Sequence, residues 1–278
     1  MIAMSLQPLT TALIQLTSTD DFSSNCEQVF VRLEQVRSQG GARLILLPEN
    51  SLYLRLNRES KLEALSLDHP IFKKLSVYCC ENRCHFLMTT PVQEPEVVSN
   101  ATLHLDDQGS IQVVYRKIHL FDVNVRGVPT VRESDDFSYG SKLAAVEVDG
   151  WKIGLSICYD LRFSELFSLY VRQGVHALAV PAAFLVPTGR AHWEVLLRAR
   201  AIETQSFVLA PAQGGVHENS HQDRRKTWGH SMVVSPWGEV LAEVESSEAS
   251  QVLIYTLDPS QIESVRKQIP MSGHRRLN

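Results

Sequence analysis

In Arg43-Leu-Ile-Leu-Leu47 the four residues after the arginine form an apolar run with no polar position on either face. Such a strand is too uniform to keep one face in water, so its sheet has to be covered on both sides. The residues before it supply one cover. Thr11–Leu16 is a short β-type run, and Ser24–Gln39 follows with Val29, Leu33 and Val36 at helical spacing, closed by Gly40-Gly41. Strand, helix and buried strand in succession mark an α/β chain.

Further along, a polar helical stretch reaches Asn82, and His85–Val92, Ala101–Asp106 and Ile111–Lys117 read as strands. The turn residues Asp106-Asp107-Gln108-Gly109 make a hairpin of the last pair, so the sheets are mixed. Phe121–Gly140, with Gly127, Pro129 and its acidic residues, is too polar for an element and reads as a long loop. Ala144–Val148 and Trp151–Ile157 form a second hairpin across Asp149-Gly150. Phe163–Gln173 is helical, Ala177–Ala182 is a strand, and Arg190–Gln205 is a helix with Trp193, Leu196, Leu197 and Ala201 on one stripe. Val216–Thr227, with Arg224-Arg225-Lys226, reads as a polar loop. The rest to Leu257 is mostly strand, and Asp258-Pro259 starts a short helix. With no repeat and no low-complexity linker, residues 1–278 are expected to form a single domain of about five helices.

A net charge of −4, from 27 basic and 31 acidic residues, gives no electrostatic reason to expect nucleic acid. No segment approaches the ~18 uninterrupted apolar residues of a membrane span. Five cysteines, an odd number, in a sequence without a secretory leader point to a reducing compartment, and cytoplasm is the expected location.

Three strand ends carry the residues with chemical potential. Cys158 closes the Trp151–Ile157 strand immediately before a helix, whose N-terminus is expected to favour the thiolate. Glu49 closes the apolar strand in Leu46-Leu-Pro-Glu-Asn50, and Lys117 closes Val113-Val-Tyr-Arg-Lys117. Together they make a coherent set: the carboxylate accepts the thiol proton, the thiolate attacks a carbonyl, and the ammonium stabilises the oxyanion. Taken singly, Cys158 also suits a small buried hydrophobe, and Glu49 and Lys117 suit surface charges. Cys79, Cys80, Cys84 and His85 lie close, but adjacent cysteines on a helix fit zinc ligand spacing poorly. Neither HExxH nor a Gly-rich phosphate loop occurs, so no metal and no cofactor are expected.

Four segments carry a resemblance that spans nearly the whole chain in order: Leu47-Pro-Glu-Asn50, Tyr115-Arg-Lys-Ile-His-Leu-Phe-Asp122, Ile157-Cys-Tyr-Asp-Leu-Arg-Phe-Ser-Glu165 and Gly229-His-Ser-Met-Val-Val-Ser-Pro-Trp-Gly238. They resemble the nitrilase, or carbon-nitrogen hydrolase, superfamily. The resemblance implies a four-layer αββα sandwich with mixed sheets and a Glu-Lys-Cys triad at Glu49, Lys117 and Cys158. It also implies a substrate-positioning glutamate at Glu133 and an oxyanion donor in the backbone N–H of Tyr159. Arg162 matches an arginine that grips the carboxylate of 2-oxo acids in some branches; the alternative is a structural ion pair with Glu165. Ala191–Gln205 and Ala212-Gln-Gly-Gly215 resemble the Nit branch, which implies an amidase acting on deaminated glutathione, with an ω-amidase of small 2-oxo-acid amides as the nearest rival. The superfamily further implies a homodimer or higher homo-oligomer.

Overall fold

The structure, a computed structural model, describes residues 6–124, 130–245 and 250–276. In chain order it runs β1 (Leu9–Gln15), α1 (Phe22–Ser38), β2 (Leu44–Leu46), α2 (Pro70–Asn82), β3 (His85–Gln93), β4 (Val98–Leu105) and β5 (Ile111–Arg116). A two-residue ribbon, β6 (Asp122–Val123) with β7 (Val131–Arg132), leads to β8 (Ala145–Val148) and β9 (Trp151–Leu155). Then come α3 (Ser164–Arg172), β10 (Ala177–Ala179), α4 (Val186–Thr204) and β11 (Phe207–Ala210). The hairpin β12 (Gly214–Glu218) and β13 (Arg224–Trp228) follows, then β14 (Met232–Val234), β15 (Val240–Glu243), β16 (Gln251–Leu257) and α5 (Pro259–Gln268).

Two six-stranded sheets result, in the orders β16-β1-β2-β3-β4-β5 and β15-β14-β11-β10-β9-β8. Each has three parallel strands at its centre, β1-β2-β3 and β9-β10-β11, flanked by antiparallel neighbours. Strand alternation sends the residues of these centres to two faces, and both are covered. Leu13, Leu44, Leu46 and Leu87 join the core shared with the second sheet, whereas Ala12, Ile14, Ile45, Phe86 and Met88 meet Val29, Leu33 and Val36 of α1 and Phe72 and Leu75 of α2. On the far side, Phe167 and Tyr170 of α3 and Trp193, Leu197 and Ala201 of α4 complete the core. The layers are therefore helix, sheet, sheet, helix, as expected from the sequence.

The helix ends follow from their caps. Asp21 accepts from Ser24 N at 3.1 Å to start α1, and Asp258 accepts from Ser260 N at 2.9 Å ahead of Pro259 in α5. Three segments differ from the expectations. The Phe121–Gly140 stretch is not wholly loop: it contains the β6–β7 ribbon and a 3-10 turn over Glu133–Asp135, while Gly127 and Pro129 lie outside the described residues. Val216–Thr227 is a hairpin whose polarity comes from its outer face, since His217 and Thr227 are buried beneath it. The helix expected at Arg190 begins at Val186, because Pro187 occupies the first turn, where its missing N–H costs nothing.

Among the described residues no helix is long and apolar enough to cross a membrane. The C-terminal ends of the parallel strands of both sheets meet at one end of the sandwich. There Gln213 pins the halves together, its Nε2 donating to Ser18 Oγ at 2.9 Å and to the Glu49 carbonyl at 3.0 Å.

Candidate active site

Glu49 follows β2 and is 2% exposed. Its Oε1 accepts from Lys117 Nζ at 2.7 Å and from Asn100 Nδ2 at 2.9 Å, and its Oε2 accepts from the Ala183 N–H at 3.1 Å. The side chain is thus fixed by groups from three different elements, with the Cys158 thiol as a further hydrogen-bond partner.

Lys117 follows β5, its backbone N–H held by the Asn100 carbonyl at 2.9 Å. It is 1% exposed, and its ammonium also lies 3.0 and 2.8 Å from the two carboxylate oxygens of Glu133. Burial opposes the charge, but Glu133, Glu49 and Cys158 more than offset it and raise the lysine pKa, so the ammonium is locked on. Glu133 is anchored by the Phe121 N–H at 2.8 Å. Its own pKa is pushed up by burial, with Lys117 pulling the other way and Glu49 adding to the rise.

Cys158 sits in the left-handed region, at φ +49°, with its N–H bound to the Pro181 carbonyl at 2.9 Å. A non-glycine residue held there is strained, and such strain persists only where the surroundings over-determine it. Asp160 is the residue that does so. Completely buried, its carboxylate accepts from the Ile157 N–H at 2.9 Å, Tyr115 Oη at 2.7 Å, the His119 N–H at 2.9 Å and His119 Nδ1 at 2.7 Å.

The expectation that a helix N-terminus favours the thiolate does not hold. Cys158–Arg162 is a 3-10 turn, and the α-helix starts only at Ser164. Burial, joined by the charge of Glu49, pushes the thiol pKa well up; Lys117 and the Ala183 N–H pull it down only in part. The resting site is a thiol beside a carboxylate, not a preformed thiolate.

Glu49, Glu133 and Cys158 line a cavity of about 440 Å3 whose walls include Tyr53, Phe121 and Leu185 and whose lining also takes in Arg55, Arg58, Arg224 and Arg225. The structure therefore brings Glu49, Lys117, Glu133 and Cys158 together, with Tyr159 next to the thiol in the same turn. Arg162 is placed elsewhere. Its guanidinium lies over the rings of Phe184 and Tyr159, 5.2 and 5.8 Å from their centroids, with Nη1 3.1 Å from His192 Nδ1. Among the described residues it is not part of the cavity lining and makes no ion pair with Glu165. Sequence reasoning missed Asn100, Ala183 and Asp160. Only Asp160 had a signal, its place two residues after the cysteine in Cys-Tyr-Asp.

Comparison with known proteins gives the family. The model of the carbon-nitrogen hydrolase family matches residues 10–267. The chain belongs to that family. This hydrolase is 38% identical over 273 residues to the nitrilase and fragile histidine triad fusion protein NitFhit of Drosophila melanogaster, covering 97% of the chain but only 58% of the fusion protein. It is 36% identical to the deaminated glutathione amidase of Synechocystis sp., covering 97% of the chain and 99% of the relative. Among solved structures, the NitFhit protein of C. elegans superposes with a TM-score of 0.85 at 31% identity, over 98% of the hydrolase and 66% of the fusion.

Proposed function

We propose that the hydrolase is a cofactor-independent amidase that cleaves the amide of deaminated glutathione, releasing 2-oxoglutarate and cysteinylglycine. The observation that carries this reading is the convergence of Cys158 and Glu49 on one cavity, with the buried Lys117 paired to Glu49 at 2.7 Å, in a chain that matches deaminated glutathione amidases along almost its full length.

In the proposed cycle Glu49 takes the thiol proton as Sγ of Cys158 attacks the amide carbonyl. Lys117 and the backbone N–H of Tyr159 stabilise the oxyanion. The C–N bond breaks as Glu49 returns the proton to the departing amine, leaving a thioester. A water, deprotonated by Glu49, attacks the thioester carbonyl; the C–S bond breaks, and Glu49 reprotonates the sulfur. Because the thiol pKa is high, coupling proton transfer to attack avoids the cost of a free buried thiolate. Glu133 keeps Lys117 positioned and charged, which supports a positioning role for it.

Residues 1–278 act in this reading as one domain, in the cytoplasm, and as a homodimer. Leu169 of α3, Val195 and Ile202 of α4, and Trp237 are exposed apolar residues that favour a partner surface, to be tested by light scattering. The substrate is tested on purified protein with a panel of deaminated glutathione, 2-oxoglutaramate, simple amides, nitriles and carbamoyl amino acids. Release of cysteinylglycine from deaminated glutathione as the fastest reaction is the expected result. Faster ammonia release from 2-oxoglutaramate would replace it with an ω-amidase.

A further inference from the structure

The arginines of the cavity are not equivalent. Arg55 pairs with Asp136; Arg58 reaches Asp135 at 3.2 Å and the Thr130 and Arg132 carbonyls at 2.9 and 3.1 Å; Arg224 reaches Glu218 at 3.2 Å. Arg132 is exposed to solvent on the β6–β7 ribbon, whereas Arg225, on β13, is partly buried. Its Nε is buried without a hydrogen-bond partner, and among the described residues no carboxylate lies within ion-pair distance of its guanidinium. A cation so placed carries an unreturned desolvation cost.

The neighbouring residue supports the same reading. His217 is directly opposite Arg225 across the hairpin and completely buried. Its Nδ1 is 2.6 Å from the Ser18 carbonyl, which can only accept, so Nδ1 carries the proton; Nε2, 2.6 Å from Thr227 Oγ1, accepts. Both ring nitrogens are satisfied in the neutral tautomer. The ring therefore fixes the hairpin under Arg225 without adding a second charge and without neutralising the first. An arginine that lines a cavity and has no carboxylate of its own is what a substrate carboxylate completes.

We propose that Arg225 is a specificity-determining residue that binds a terminal carboxylate of the substrate in this cavity. The proposal rests on the amidase reading above, and deaminated glutathione carries a carboxylate at each end. It assigns to Arg225 the contact that the sequence placed at Arg162.

The test compares wild type with Arg225→Met, which keeps the aliphatic stem, and Arg225→Lys, which keeps a point charge. For Arg225→Met, kcat/KM for deaminated glutathione relative to an uncharged aliphatic amide should fall roughly 10- to 150-fold, the effect of one charge-assisted contact, and KM should carry it. Arg225→Lys should recover part of the ratio. A ratio within threefold of wild type, or equal losses on both amides, overturns the proposal. A second measurement does not depend on turnover: glutarate should protect Cys158 from iodoacetamide in wild type at concentrations roughly tenfold or more below those needed in Arg225→Met. If wild type hydrolyses none of the amides, the amidase reading fails on its own. The Arg225 proposal then falls only if glutarate protects both proteins equally or protects neither.

Discussion

The Tyr115 hydroxyl donates to Asp160 Oδ2 at 2.7 Å, so the strand that ends at Lys117 is tied directly to the turn that holds Cys158. These two residues come from different sheets, β5 of the first and the turn after β9 of the second. The bond sets the spacing of ammonium and thiol across the sandwich. Burial first, and then the Asp160 charge, raise the tyrosine pKa, so the hydroxyl stays a donor. Tyr115→Phe removes one of four donors to a buried carboxylate and should cost about 1 to 3 kcal/mol in urea unfolding. It should lower kcat more than it changes KM, since neither residue lines the cavity. An unchanged kcat would show that the turn is held without Tyr115.

Glu49→Gln keeps the size of the side chain and its contact with the Ala183 N–H but cannot take a proton. Turnover should drop by roughly 100- to 10,000-fold, the usual worth of a positioned general base. Cys158→Ala should abolish turnover, since no thioester forms, with circular dichroism unchanged. Activity of Cys158→Ala above a hundredth of wild type would remove the cysteine from the mechanism. Replacing the buried Cys79 or Cys84 by Ala should leave kcat within about threefold, because their contacts are with the α1–α2 core and not the cavity.

Much of this was legible beforehand, for a physical reason. Glu49 and Cys158 each follow a strand buried on both faces, which writes itself as a largely hydrophobic run whose end is easy to see; Lys117 ends the edge strand β5, marked by Val113-Val-Tyr115. The residues that escaped lack that contrast. Asn100 lies inside a strand, Ala183 contributes only its backbone N–H, and Arg225 sits on a hairpin whose outer face is so polar that its two buried anchors, His217 and Thr227, were hidden by their neighbours. The surroundings of Arg162 were not legible because the sequence does not distinguish a 3-10 turn from the start of α3, nor show that its guanidinium lies over Tyr159 and Phe184.

The alkylation of Cys158 should follow its raised pKa. With the thiol above its ordinary value of 9.0, the rate with iodoacetamide should climb beyond pH 9 without levelling off below it. Lys117→Met removes the cation that pulls the thiol down and should shift the profile further to the alkaline side. A plateau below pH 8 in wild type would mean that the resting site holds a thiolate.

Acid stability should depend on His217. Burial lowers its pKa from 6.5 to about 4, with Arg225 adding to the fall and the Ser18 carbonyl opposing it. The unfolded chain then binds a proton more readily than the native one, so this contribution is complete above pH 6.5 and is lost as pH falls toward 4. His217→Gln can make the same two hydrogen bonds but does not titrate. The drop in urea midpoint between pH 7 and pH 4.5 should therefore be smaller in the variant; an identical drop would place the acid sensitivity in other groups.

Gly189, in the first turn of α4, tests whether the hairpin position matters to the cavity. A Cβ there would lie 2.3 Å from Cβ and Cγ of Trp228, at the end of β13, a separation that real side chains do not tolerate. Gly189→Ala must therefore displace the indole or the helix, and overpacking of this kind costs about 1 to 3 kcal/mol. Trp228 is held on both sides: its N–H binds the Phe184 carbonyl at 2.9 Å, and its ring stacks on His230 with centroids 4.4 Å apart. The displacement has to travel along β13 toward Thr227 and Arg225. The variant should melt several degrees lower and show a raised KM for deaminated glutathione, with iodoacetamide still reaching Cys158 at the wild-type rate. A lower melting temperature with KM unchanged would mean that the Arg225 end of the hairpin is anchored by His217 and Thr227 alone.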